Sequence, residues 1–116
     1  DKYQDIVDYA KQNYPGEYDV VGLENDNKYN GFLDFDAVIC LELIGHLKDP
    51  IKFISNLKVK RLIISSPIKP TSDDDYIWRP YSLFENDFKN MFSGWEIIDE
   101  FKQDHFLTIY LERDGI

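Results

Sequence analysis

The sequence has one cysteine in 116 residues, Cys40, which rules out an intramolecular disulfide and any multi-cysteine metal site. Cys40 lies inside the apolar run Ala37-Val38-Ile39-Cys40-Leu41, where a thiol reads as a buried, unreactive core atom. No apolar stretch approaches the roughly 20 residues a membrane-spanning helix needs, and no signal peptide is visible. The expectation is a soluble, cytoplasmic protein with no membrane partner. Basic residues are scarce, 13 against 22 acidic ones, for a formal net charge of -9. A field of that sign repels a phosphate backbone, so nucleic acid held through a broad basic patch is disfavoured, although a local basic site stays open. Only two histidines occur, and no glycine elbow surrounds Ser65 or Ser66, which argues against a serine hydrolase. There is no internal repeat and no interdomain linker, so residues 1–116 read as one domain. The chain begins at Asp1 rather than Met, which is compatible with residues lost ahead of it.

Apolar residues make up 43% of the chain and aromatics 16%, enough to exclude a wholly disordered polypeptide. The organising stretch runs from Phe35 to Pro67. Its first apolar run ends at Glu42, a polar turn follows, Asp49-Pro50 opens an amphipathic segment, and a second run, Leu62-Ile63-Ile64, ends at Ser65-Ser66-Pro67. Short continuous apolar runs flanking a helical pattern predict parallel strands covered on both faces. Ligands of such sheets collect beyond the carboxyl ends of the strands, where Glu42 and Ser65 stand.

Around this unit, Tyr3, Ile6, Val7, Ala10 and Tyr14 share one face of a covering helix that Pro15-Gly16 ends. Tyr18 to Leu23 reads as a short strand with Glu24 at its carboxyl end, and Glu24 to Gly31 as a loop. Asp49 suits a helix N-cap and Pro50 the first helical position, with Ile51, Ile54 and Leu57 as the buried face. The strand Leu62 to Ser65 leads into a long surface loop from Ser66 to Pro80, within which Asp73-Asp74-Asp75 reads as a solvated charge run. Ser82-Leu83-Phe84-Glu85 has the form of a capping box, opening a helix that buries Leu83, Phe84, Phe88, Met91 and Phe92 and stops at Ser93-Gly94. Trp95 to Phe101 and Phe106 to Leu111 are β-rich runs close enough to form an antiparallel hairpin.

Three pieces of this order resemble class I S-adenosylmethionine-dependent methyltransferases: Phe35-Asp36-Ala37-Val38-Ile39 continuing to Glu42-Leu43-Ile44-Gly45-His46-Leu47-Lys48-Asp49-Pro50; Leu62-Ile63-Ile64-Ser65-Ser66-Pro67; and Arg79-Pro80-Tyr81-Ser82 followed by Phe88 and by Phe92 to Ile98. The resemblance implies an α/β, three-layer Rossmann-like methyltransferase fold, incomplete, its mixed sheet having parallel central strands and a C-terminal antiparallel hairpin. It implies S-adenosylmethionine as cofactor and a small-molecule or macromolecular methyl acceptor. Glu24, matching the acidic residue that ends the family's second strand, is the candidate for the ribose hydroxyls, and Glu42 the second cofactor-facing residue. His46 is the candidate catalytic group, with a turn histidine bonded to backbone as its other reading. Ser65, Arg79 and Tyr81 are candidate substrate-binding residues; Arg79 and Tyr81, beside Trp78, could equally pin the loop to the core.

The chain departs from the family in two ways. The glycine-rich loop E/D-x-G-x-G-x-G, which lets backbone approach the cofactor closely, does not occur, and Glu24 is too near Phe35 for the helix and strand that normally intervene. The resemblance thus implies either an amino-terminally truncated piece or a strongly reduced variant. The small-RNA 3′-end 2′-O-methyltransferases hold a divalent metal with Glu-x-x-Glu-His at this same turn; here Glu42 and His46 match, Gly45 replaces the second carboxylate, and no metal is expected. A methyltransferase-fold protein without catalysis, serving as an interaction or regulatory module, is the alternative, and a homo- or hetero-dimer could supply what the chain lacks.

Overall fold

A computed structural model describes residues 2–17, 35–69 and 83–115. Helix α1 spans Lys2–Asn13 and is followed by Pro15 and by Gly16 at φ 140°, the stop that the sequence marks. Ile6 and Tyr9 on this helix, and Tyr14 just after it, are largely exposed. The elements that follow are β1 (Ala37–Leu41), a 3₁₀ turn (Ile44–His46), α2 (Pro50–Ser55), β2 (Arg61–Lys69), β3 (Leu83–Phe84), α3 (Glu85–Lys89), β4 (Glu96–Gln103) and β5 (Phe106–Glu112).

The strands form one mixed sheet in the order β1-β2-β5-β4, with β3 beside the far end of β2. β1 and β2 are parallel, from Ala37 opposite Arg61 to Leu41 opposite Ser65, and α2 is the crossover between them. β2 and β5 are antiparallel, as are β5 and β4, which a two-residue turn at Asp104 and His105 joins. Asp104 adopts φ 53°, a left-handed turn conformation that Asp tolerates better than most residues. The mixed sheet with a parallel pair and a closing antiparallel hairpin agrees with the fold class read from the sequence.

One sheet face carries the core. Val38, Cys40, Leu62, Ile64, Leu107, Ile109 and Leu111 point to it and meet Ile44, Phe53, Ile54, Leu57, Phe88 and Phe92. Phe88 and Phe92 contact edge to face at 5.5 Å, a geometry favoured by the ring quadrupoles. The other face is barer than continuous apolar runs predict: burial along β1 alternates, with Ile39 63% and Leu41 64% exposed. Phe101 on β4, two strands beyond Ser65 in the same cross-strand row as Leu41, is 64% exposed as well.

Three local expectations need correction. Ile51 is 60% exposed, and Phe53 takes the buried place with Ile54 and Leu57. At about 100° per residue, Phe53, Ile54 and Leu57 lie within one face and Ile51 roughly a third of a turn away. The helix α3 starts at Glu85 rather than after Ser82, because Leu83 and Phe84 pair with Ile68 and Lys69 and are held extended. Phe84 is therefore the cap and stays half exposed, while the Glu85 carboxylate turns to Lys89 and Lys102.

The third concerns β2, which continues through Ser66 and Pro67 to Lys69 instead of ending at Ser65. Proline is excluded from strand interiors when its missing N–H faces a neighbour. Ile68 N donates to His105 O across the β5 side at 2.6 Å, so the nitrogen of Pro67 faces the opposite side. There β1 has ended opposite Ser65 and β3 begins only opposite Ile68. Pro67 occupies the gap, where no donor is required.

Candidate functional site

The carboxyl ends of β1 and β2 emerge side by side. Glu42, the residue after β1, donates its backbone N–H to both the carbonyl and the hydroxyl oxygen of Ser65, each at 3.1 Å. Ser65 is 6% exposed, fixed between Leu41 and Thr108 in the sheet register. Glu42 itself is exposed and adopts φ 57°. A left-handed backbone at a long non-glycine side chain is uncommon and ends the strand by turning the chain out of the sheet plane.

The turn then runs through Ile44–His46. Ile44 is buried and anchors it, His46 N bonds to Leu43 O at 3.0 Å, and the imidazole lies in an exposed residue. Asp49 caps α2 by accepting from Lys52 N at 3.0 Å, and Pro50 takes the first helical position, as the sequence indicates. This cap fixes where the turn ends, and Ile44 fixes where it touches the core. Between them the chain from Glu42 to Leu47 rests on the rim of the sheet.

Of the residues singled out from the sequence, the structure brings Glu42 and Ser65 into direct contact and sets His46 on the same turn. The Ser65 hydroxyl accepts from the backbone N–H of Glu42. Glu24, Arg79 and Tyr81 lie outside the described residues, as do Tyr18 to Leu23, where the sequence predicts a strand, Trp78 and the aspartate run. The buried thiol expected at Cys40 is present, and burial pushes its pKa up to about 11.

Farther along the same rim lies a feature that sequence reasoning missed. An open groove of about 690 Å³ lies between the end of β2, the β3–α3 junction and the β4–β5 hairpin tip, lined by Lys69, Phe84, Glu85, Lys102 and His105 among others. Lys69 Nζ sits 5.5 Å from the centre of the Phe84 ring. Glu85 binds Lys102 on one side and Lys89 at 3.4 Å on the other, and Lys89 reaches Glu100 at 2.8 Å. The hydrogen bond from Lys102, then the nearby charges, hold the Glu85 carboxyl below its ordinary value. The hydrogen bond to Glu100 chiefly holds the Lys89 ammonium above its ordinary value. The Glu85–Lys89 pair is an i,i+4 contact along α3, whereas Lys102 and Glu100 reach it from β4, and for these only the alternating pattern of the hairpin, Glu100 and Lys102 on one side, gave a sign.

No family model matches the sequence. Over 44 residues the chain is 43% identical to a tRNA U34 carboxymethyltransferase of Campylobacter jejuni subsp. jejuni, a stretch that is 38% of this chain and 14% of that protein. Among solved structures, the 16S rRNA methylase ArmA aligns at a TM-score of 0.48 and 21% identity, over 69% of this chain and 41% of that one. The 16S rRNA methyltransferase RmtF, determined in complex with S-adenosyl-L-homocysteine, aligns at 0.48 and 14% identity, over 68% and 32%. An rRNA methylase from Escherichia coli aligns at 0.45 and 15%, over 68% and 31%. The chain thus spans a seventh of the length of the curated relative and less than half of each of these structures. No helix among the described residues is long and apolar enough to cross a membrane.

Proposed function

We propose that this chain forms the cofactor- and acceptor-facing rim of an S-adenosylmethionine-dependent methyltransferase whose acceptor is an RNA. The observation that carries the reading is the parallel crossover from β1 through α2 to β2, at whose carboxyl end an exposed acidic residue, Glu42, stands on a fixed backbone. Such rims are where open α/β sheets take their ligands. The choice of RNA rests on the likeness to the tRNA-directed transferase. With a net charge of -9, the chain would hold RNA through a few local contacts instead of a broad basic face.

The cofactor fits these residues in part. A carboxylate on a rigid turn suits the polar hydrogens of an adenosyl or amino group, and Glu42 would take that role, with Glu24 on the ribose. The glycine-rich loop that would approach the other side is absent from the sequence, so this chain furnishes one wall. The donor brings an already activated methyl group, which leaves the protein the work of alignment. His46, four residues beyond Glu42, would face the acceptor, with Arg79 and Tyr81 at the rim.

The test is calorimetric titration of the intact protein with S-adenosylhomocysteine, paired with transfer of labelled methyl from S-adenosylmethionine to transfer RNA. Binding that weakens about tenfold in Glu42→Gln is expected for a charge-assisted contact. No heat at millimolar ligand removes the proposal. A second reading, an interaction module without catalysis, is favoured by the bare apolar face of Ile39, Leu41 and Phe101. That reading requires no heat in the same titration.

A further inference from the structure

Among the described residues, two other than glycine have positive φ, Glu42 and Asp104. Asp104 sits in a two-residue hairpin turn, where short polar residues are at home. Glu42 has no comparable reason. It follows a strand of five residues and has a long, flexible side chain, and an extended backbone there would simply have lengthened β1. The left-handed region is disfavoured for such a residue by about tenfold in population. Strained backbone of this kind persists where its surroundings over-determine it, and it gathers at ligand sites.

One residue receives the backbone N–H of Glu42. Ser65 receives the Glu42 N–H twice, on its carbonyl and on its hydroxyl, at 3.1 Å each. Its neighbours in the sheet, Leu41 and Thr108, hold it in register from both sides. An ordinary ladder bond would use the carbonyl alone. The second acceptor makes the grip specific to a hydroxyl side chain at position 65, which an alanine would lose and a threonine would keep.

We infer that Ser65 is a positioning residue: by gripping the Glu42 N–H with hydroxyl and carbonyl together, it holds Glu42 in the left-handed turn and aims its carboxylate at the ligand on the rim. This inference rests on the reading of the rim as a cofactor site. It reassigns Ser65, which the sequence marked as a substrate contact, to a role exercised through its neighbour.

The experiment uses the intact protein, with S-adenosylhomocysteine as the calorimetric probe and thermal unfolding measured alongside. Ser65→Ala should weaken binding about tenfold, while Ser65→Thr stays within about twofold of wild type. The decisive measurement is the pair of substitutions: Glu42→Gln, costly in the wild-type background, should cost little in Ser65→Ala, because the carboxylate has already lost its aim. Glu42→Gly should raise the melting temperature yet lower affinity, the signature of strain kept for binding. A Ser65→Ala protein that binds like wild type, or in which Glu42→Gln keeps its full cost, overturns the inference and leaves the cofactor reading intact. Absence of binding by the wild-type protein overturns both.

Discussion

Arg113, just past β5, offers the sharpest test of how the core is held. Its Nε donates to Val59 O at 3.0 Å, its Nη2 donates to Leu57 O, and the guanidinium stacks 4.0 Å from the centre of the Trp95 ring. Leu57 and Val59 are each 1% exposed, so their carbonyls have no water to fall back on. Removing the donor leaves two buried acceptors unpaired, at about 1 to 2 kcal/mol each, and forfeits a cation–π contact of about 0.5 to 1 kcal/mol. Burial opposes this, since it depresses the Arg113 pKa from its ordinary value, and a neutral side chain would recover that desolvation. The balance for Arg113→Met is a loss of about 2 to 3 kcal/mol, or roughly 10 °C in melting temperature for a domain near this size. The backbone bond from Arg113 N to Lys60 O at 3.0 Å is untouched by the substitution, so the loss belongs to the side chain. Urea unfolding followed by circular dichroism measures it. Arg113→Lys, with one compact donor group, should recover about half. If Arg113→Met unfolds within about 0.5 kcal/mol of wild type, the clamp contributes no net stability and the reasoning is refuted.

Four other outcomes are expected. Because the folded Glu85 carboxyl ionises more readily than its ordinary value, its stabilisation is complete above pH 4.5 and lost as pH falls through the lower folded value; acid titration of Glu85→Gln should lack that part of the transition. Lys89, raised in the folded state, contributes fully below pH 10.5 and loses its contribution as pH climbs through its higher folded value, so alkaline unfolding of Lys89→Met should begin without that component. Cys40, at about 11, leaves roughly one thiol in a thousand ionised at pH 8; labelling by a disulfide reagent should therefore run at least about a hundredfold faster in urea than in buffer, and equal rates would place the thiol at the surface. Asp49→Ala, which removes the acceptor for Lys52 N, should cost about 1 kcal/mol in denaturant unfolding.

The parallel unit was legible because its signals are local. Apolar runs at Ala37–Leu41 and Leu62–Ile64, and an Asp-Pro pair at the head of α2, each dictate conformation within a few residues. The hairpin of β4 and β5 was legible for the same reason. What escaped was set by partners far along the chain. Ser65-Ser66-Pro67 reads as a stop, yet β5 pairs with all three residues and keeps them extended. Ser82-Leu83-Phe84-Glu85 reads as a cap, yet the end of β2 recruits Leu83 and Phe84 as a strand first. Glu42 and Ser65 were marked as site residues from their place at strand ends. That one holds the other depends on a left-handed turn that no residue type at position 42 announces.

Pro67 has a consequence for how this sheet is permitted to grow. A strand laid along that side of β2 needs a donor at every second residue, and at Pro67 none exists, so no single neighbour can run from the position of β1 to that of β3. The flank of β2 is thereby divided into two separate berths, and the backbone of whatever leaves the first is obliged to lift away before the second. An imino ring, usually regarded as an intruder in a ladder, here acts as a partition that keeps a doorway in the wall from being closed by hydrogen bonding.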